Sequence, residues 1–517
     1  MESYGEKVQT KGSSTSGRRI SAAPFACVAA ASALSWLLSA CGSGVIGGEP
    51  QSDGSGTQND AGAAISPLPP GAMPPSAGYD DSGLALPPAG DDAGTAPSAA
   101  GYDASRDSPP RSRDGGALLP GPEAGIGAEA GIGRDGGMYP AFPADFGQLV
   151  NHGETVLTAP VVVPITWNSD PSQAMFDQFV DGVGVTAYWK ATTSEYGVGP
   201  LTGGMANHVH ISTAGPATMG DSDFKNQVAQ NAGAAWPAAT DQSIYAFFLP
   251  PGTSLQIQGS DACSHGIGGY HDQVTVGSTL VAYAIVPSCS LGRGITPAQQ
   301  STAAMSHELL EAVTDPWPHL AKPGLIGFDA DHFSFDWFQS FQSENGDACE
   351  LYRSSFFKVM EPSFTYYVQR TWSNDAARQG HDPCVPAPST PYFNVTPLNL
   401  TAVNIDTSSV RRGGSTMTPT KGVHIPVGQS GTIDVGFYSD GPTSAPWMLD
   451  TIEGGPLNPV RTPRLTVKID KSTGSNGDRA TATVTVMTVG PLKGELLVFR
   501  STLGMDRHYM PVVISSE

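Results

Sequence analysis

Hydrophobic and polar positions divide the chain into stretches with different periods. Residues 20–40 form an uncharged, mostly apolar run, whereas residues 42–138 show neither a helical nor a strand period and contain no Phe and no Trp. Patterned sequence begins near residue 139. The run 160–167 (Pro-Val-Val-Val-Pro-Ile-Thr-Trp) is apolar and β-branched and predicts a buried strand. Asp170 and Pro171 then predict a helix start, as N-cap and first helical residue. Met175, Phe176, Phe179, Val180 and Val183 give that helix one apolar stripe. A second buried strand is expected at 279–286. Strands and helices mix over 139–390, which predicts an α+β domain. From 391 to 517 the runs become short and alternating or β-branched: 399–405, 432–438, 465–469, 480–486, 495–499 and 510–514. Gly, Pro, Asn and Asp separate them, and this spacing predicts an all-β, Ig-like antiparallel sandwich serving as an accessory domain.

Composition changes the picture at the N-terminus. The chain has 62 Gly, 44 Pro and only 15% charged residues, so part of it cannot build a packed core. Lys7, Lys11, Arg18 and Arg19 precede the apolar run, which ends in Leu38-Ser39-Ala40-Cys41. A basic head, an apolar middle and small residues before a cleavage point predict an export signal over 1–40. Its ending resembles the lipobox of bacterial lipoproteins, which implies a lipid anchor on Cys41 and a place in the cell envelope. Residues 41–138 then have too little apolar surface to offset chain entropy and are expected to form a disordered tether. With 27 Lys and Arg against 48 Asp and Glu, the net charge of −21 argues against a nucleic-acid partner.

Of six cysteines, Cys27 lies in the signal and Cys41 is the expected lipid acceptor. Cys263, Cys289, Cys349 and Cys384 remain, and an even number in an oxidising compartment predicts two disulfides. Sequence order suggests Cys263–Cys289 and Cys349–Cys384, although other connectivities are open.

The candidate chemistry sits on one predicted helix. Thr296, Pro297 and Gln299 are N-cap, first residue and third residue of a capping box, and Asp315-Pro316 stops the helix after Thr314. Met305, Leu309, Ala312 and Val313 would face the core. Opposite them, His307 and Glu311 stand one turn apart on one side, the geometry that HExxH zinc sites use, with Glu in place of the second His. Zinc accepts both imidazole nitrogen and carboxylate oxygen, so His307 and Glu311 are candidate ligands to one zinc ion. Glu308 is placed to act as general base. A third ligand is expected from Glu344-Asn-Gly-Asp347-Ala-Cys349: Glu344, with Asp347 orienting His307, or the reverse assignment with Asp347 as ligand. Asp315 should cap the helix, and His319 and His332 are weaker candidates. His265, Tyr270 and His271 lie in a Gly-rich, Cys-linked loop expected to be structural, with a cleft-lining role as the alternative. His208 and His210 alternate on an expected strand and so face one side, with a metal role there as the weaker alternative.

Ser306–Pro316 (SHELLEAVTDP) followed by ENGDACE at 344–350 resembles a secreted bacterial family of zincin-like HExxE metallopeptidases, related to the plant phosphate-induced (EXORDIUM-like) proteins. Trp189, Thr193 and Tyr196 also match a W-x-x-x-T-x-x-Y region of that family. The likeness spans roughly residues 155–385 and leaves out the β-rich part. It implies a zincin-like fold and a metal site over 139–390. Two function classes follow as expectations. One is a lipid-anchored extracytoplasmic zinc-dependent hydrolase, a metallopeptidase acting on protein or peptide. The other is a non-catalytic adhesion or cell-wall-binding lipoprotein in which the metal staples the fold.

Overall fold

The computed structural model describes residues 131–132, 137–291, 294–320, 322–340, 343–408, 417–455, 460–490 and 492–516. The expected signal, the Cys41 anchor and nearly all of the expected tether lie outside the described residues. Among those described, no helix is long and apolar enough to cross a membrane.

A five-stranded mixed sheet organises the first part. Its strands are β1 (Val161–Trp167), β2 (Val209–Ile211), β3 (Ser243–Phe248), β4 (Tyr270–Val276) and β5 (Thr279–Val286), in the order β4-β5-β3-β1-β2. All neighbours run parallel except the edge pair, in which β4 lies antiparallel to β5. The central strands read as continuous apolar runs because both faces are covered. On one face Ile244, Ala246 and Phe248 pack with Ala282, Ala284 and Val286 against helices α1 (Gln173–Val183) and α4 (Pro297–Thr314). On the other, Tyr245 and Phe247 join Tyr283 and Ile285 beneath Phe224 and Val228 of α3 (Asp221–Asn231). Between α1 and β2, helix α2 (Ala187–Thr193) is capped by the Thr186 hydroxyl, which accepts the Trp189 N–H at 3.0 Å.

The first helix begins two residues later than the Asp170-Pro171 signal predicts. Asp170 Oδ1 accepts the Ser172 N–H at 2.8 Å and so closes a turn. Ser172, with φ −99° and ψ 4°, is the last residue outside the helix. In α4 the capping box forms as expected: Thr296 Oγ1 accepts Gln299 N–H and Gln299 Oε1 accepts Thr296 N–H. Its predicted two-sidedness does not survive packing. Every residue from Gln300 to Thr314 is buried, because residues 343–350 and 367–369 cover the side that faces away from the sheet. Both disulfides, Cys263–Cys289 and Cys349–Cys384, follow sequence order.

The C-terminal part is a β-sandwich. One sheet orders Phe393–Pro397, Ser430–Ser439, Arg479–Val486 and Leu465–Ile469. The other orders Thr401–Asp406, Met417–His424, Asp506–Ser515, Gly494–Leu503, Trp447–Glu453 and Thr473–Gly474. One pairing departs from the expected antiparallel pattern, since Met417–His424 runs parallel to Asp506–Ser515. Gly422 permits that approach: a Cβ there would lie 2.5 Å from the Val513 carbonyl oxygen. The interior is made by Val395, Ile433, Val435, Phe437 and Val484 of one sheet against Leu497, Phe499, Met510 and Val512 of the other.

This interior does not stop at residue 390. The same apolar cluster takes in Phe146, Phe328, Phe335, Phe338, Tyr352 and Trp372. Phe338 and Tyr352 pack as tilted rings against Tyr509. Lys421 Nζ reaches Asp145 Oδ1 at 2.7 Å, and His332 lies between Asp145 and Asp329 at 3.1 and 2.8 Å.

Candidate metal centre

Three segments far apart in sequence meet around Glu311. Helix α4 supplies His307, Glu308 and Glu311, strand β4 supplies His271, and the stretch before and within the short helix Asp347–Glu350 supplies Glu344 and Asp347. Glu311 is 3% exposed, Glu308 4%, Glu344 8% and His307 9%, so these four are almost wholly withdrawn from water, while His271 and Asp347 are partly buried.

The two carboxylate oxygens of Glu311 face different donors. Its Oε1 lies 3.0 Å from His307 Nε2 and accepts the Asp347 N–H at 3.2 Å. Asp347 Oδ1 stands 3.6 Å from the same imidazole nitrogen. Glu311 Oε2 lies 3.5 Å from His271 Nδ1, which is also 3.7 Å from Glu344 Oε2 and 3.8 Å from Glu308 Oε2. Within each set, His307–Glu311–Asp347 and His271–Glu311–Glu344, the donor atoms lie within 4.8 Å of one another. His271 Nε2 is 3.2 Å from the Asp315 carbonyl oxygen. A carbonyl can only accept, so Nε2 carries a proton, and Nδ1 is the nitrogen turned into the cluster.

Two glycines make this approach possible. A Cβ at position 346 would lie 2.7 Å from Glu311 Oε1 and 2.8 Å from His307 Nδ1. At position 269 it would lie 2.6 Å from Glu308 Oε1. Gly346 is held in place by its carbonyl, which accepts the Gln369 side-chain amide at 2.8 Å.

Electrostatics within the cluster are strongly coupled. Burial works against protonating His307 and His271, but the surrounding carboxylates hold both imidazoles well above their ordinary value. Burial raises every carboxyl in the cluster. For Glu311 the two imidazoles outweigh it and keep that group ionised. Glu344 and Asp347 are pushed well above the usual range, by burial first and then by neighbouring carboxylates. Glu308 and Asp315 are raised by burial as well.

The expected third ligand therefore resolves into two positions. Asp347 joins His307 and Glu311, while Glu344 lies on the far side of Glu311 with His271. Asp315 is the C-cap of α4, and its carboxylate accepts the Gly324 N–H at 2.7 Å. His319 pairs with Asp272, His332 with Asp145 and Asp329, and the Tyr270 hydroxyl donates to Asp221, so none of these joins the cluster. His265 lies in a short turn beside Cys263, also outside it. His271 is the residue that sequence reasoning undervalued. Its signal was the Gly268-Gly269-Tyr270-His271-Asp272 run entering a strand, but nothing in the sequence tells that this strand lies against α4.

No protein-family model matches the chain, and no curated protein matches it. Among solved structures, domains 4 and 5 of the S-layer protein SbsC are similar at 16% identity, covering 31% of this chain and 56% of that one, with a TM-score of 0.14. An Ig domain complex of titin M10 with obscurin-like 1 is similar at 14% identity, covering 18% and 82%, with a TM-score of 0.13. The chain thus spans little more than half the length of the S-layer fragment. Overlap this slight fixes neither a family nor a function.

Proposed function

We propose that the Glu311 cluster holds one zinc ion and that the chain is a zincin-like, zinc-dependent hydrolase of the cell envelope, a metallopeptidase anchored through Cys41. The observation that carries this reading is the convergence of His307 Nε2, Glu311 Oε1 and Asp347 Oδ1. Their separations of 3.0 and 3.6 Å bracket about 3.3 Å, the edge of a tetrahedron of ligands about 2.0–2.1 Å from zinc. The donor set fits the ion on two further counts. Imidazole and carboxylate are both zinc ligands, and the absence of a side chain at 346 lets His307 and Glu311 stand this close together. Asp347 is also the most exposed member, with a quarter of its side chain accessible, so a coordination position can open to solvent on that side.

Zinc held there by His307, Glu311 and Asp347 would supply Lewis acidity, able to polarise a carbonyl and to make water ionisable near neutral pH. Glu308 takes the proton of the attacking water and returns it to the departing amine. Its pKa is already raised by burial, the direction a general base working near neutrality needs. His271 Nδ1 stands 3.8 Å from Glu308 Oε2 and 3.7 Å from Glu344 Oε2, a cation-capable neighbour for both carboxylates. Strand β4 is the antiparallel edge of the sheet and adjoins α4, so an extended peptide has a backbone row to pair with.

The test is zinc content and peptidase activity of the full chain. Glu308→Gln should keep about one zinc in this cluster and lose turnover by a factor of about 10²–10⁴. Unchanged turnover in that variant sinks the mechanism. One observation favours a second reading, in which the metal only staples the fold of an adhesion lipoprotein: Glu308 and His307 are more than nine-tenths buried. That reading predicts that Glu311→Ala lowers thermal stability while binding to isolated envelope material persists in Glu308→Gln.

A further inference from the structure

At the sheet edge opposite β4, helix α1 and strand β2 bring together a second set of donors that the hydrolase reading does not use. Val209 points into the core, so in extended chain its neighbours His208 and His210 share the other face. Asp177 and Asp181 stand one turn apart on α1, facing them. His210 Nε2 lies 2.9 Å from Asp177 Oδ2, and His208 Nδ1 lies 3.7 Å from the same oxygen. The three donors fall within 4.8 Å of one another.

The remaining contacts give these rings a direction. His208 Nε2 is 2.9 Å from Asp181 Oδ1, and that oxygen also accepts the Gly204 N–H at 2.6 Å. A carboxylate pinned by a backbone amide can only accept, so Nε2 carries the His208 proton. The ring's other nitrogen, Nδ1, is thereby turned toward Asp177, where one cation could be shared by imidazole and carboxylate. Ligating histidines characteristically give their other N–H to a carboxylate in this way. Independently, Asp177 is buried, and its Oδ1 has no hydrogen-bond partner among the described residues.

We propose that Asp177, His208 and His210 form a second metal site, taking a divalent transition-metal ion, with Asp181 as a positioning residue for His208. Two imidazoles and one carboxylate suit zinc, cobalt, nickel or ferrous iron rather than calcium or magnesium. The His210 side chain is 39% exposed and borders a groove of about 830 Å³ lined also by Trp167 and Trp236, so the remaining coordination positions open outward. Four strand spacings separate β2 from β4, about 19 Å, so this site and the Glu311 cluster bind independently.

Calorimetric titration of the metal-stripped full chain with zinc tests this. The wild type should bind two equivalents, and His307→Ala and His210→Ala one each. The double variant should bind none. Asp177→Asn should reproduce His210→Ala, and Asp181→Asn should keep the second equivalent but weaken it about 10- to 100-fold. In His307→Ala, zinc should raise the melting temperature, and adding His210→Ala should abolish that rise. If folded His307→Ala takes up no zinc, or His210→Ala binds as much as the wild type, the site is only an ion pair and the proposal is overturned. Because His210→Ala isolates the Glu311 cluster and His307→Ala isolates this one, the failure of either site leaves the other readable.

Discussion

Replacing Gly346 by Ala probes the Glu311 cluster through a single methyl group. Gly346 has φ −72° and ψ −50°, a conformation that alanine adopts freely, so backbone strain plays no part. The methyl itself meets Glu311 Oε1 at 2.7 Å and the His307 ring at 2.8 and 2.9 Å. Ordinary contact is about 3.4 Å or more, so donors on both sides must yield by about half an ångström in a region with no free space. Overpacking of this kind costs about 1–3 kcal/mol. The Gly-to-Ala change returns about 0.4–1 kcal/mol through the unfolded chain. The net stability loss is therefore roughly 0–2.5 kcal/mol, whereas zinc affinity feels the overpacking alone: about 1–3 kcal/mol falling on the ligand-bearing geometry corresponds to about a 5- to 150-fold loss. Chelator competition measures that affinity, with Gly268→Ala as the control, because a Cβ there meets only Leu291 and Ala304 at 3.6 and 3.7 Å. Wild-type zinc affinity and stability in Gly346→Ala would refute the idea that His307 and Glu311 must close to this spacing.

The remaining predictions concern the frame around the cluster. His332 is partly buried, which disfavours its charge, but Asp145 and Asp329 raise it to about 9. Its stabilising contribution is complete below the ordinary value of 6.5 and is lost as pH rises through 9. Urea denaturation at pH 6, 7.5 and 9 should therefore show a loss of stability in the wild type that is smaller in His332→Gln; equal slopes would count against the pairing. Asp145, lowered to about 2 by His332 and Lys421 against its burial, keeps its contribution above 3.8 and loses it as pH falls through 2. Lys421→Met should accordingly raise the acid-unfolding midpoint. Cys384→Ser opens the bridge to Cys349, two residues after Asp347. It should cost about 2–5 kcal/mol in stability and weaken zinc binding at the Glu311 cluster; unaltered zinc affinity would show that the bridge does not hold Asp347 in place.

Much of the frame was legible in the sequence. The β-branched runs at 160–167 and 279–286 mark central strands because covered sheets demand apolar residues on both faces. The capping box at Thr296 and the stop at Asp315 delimit α4. Both disulfides follow chain order. In the sandwich, strands Phe393–Pro397, Met417–His424 and Trp447–Glu453 went unseen, since Pro, Gly or acidic residues interrupt their alternation. The burial of α4 on all sides was also hidden. Its outer face is covered by residues more than 30 positions later, whose own sequence is polar and looks like loop. For the same reason the pairing of Asp347 with His307 and of Glu344 with His271 could not be ranked from spacing. That choice depends on how the chain turns at Gly346.

The apolar cluster that runs across residue 390 also sets an order of events in time. Tyr352 and Phe338, which flank the stretch carrying Glu344 and Asp347, pack against Tyr509. A chain emerging from its N-terminus therefore has His271, His307 and Glu311 in hand long before the surface that seats their acidic partners exists. On the proposed metal-binding reading, metal capture at this cluster would be coupled to completion of the polypeptide. A nascent or prematurely ended chain, however well its mixed sheet forms, lacks Tyr509, against which the flanks of that acidic stretch pack.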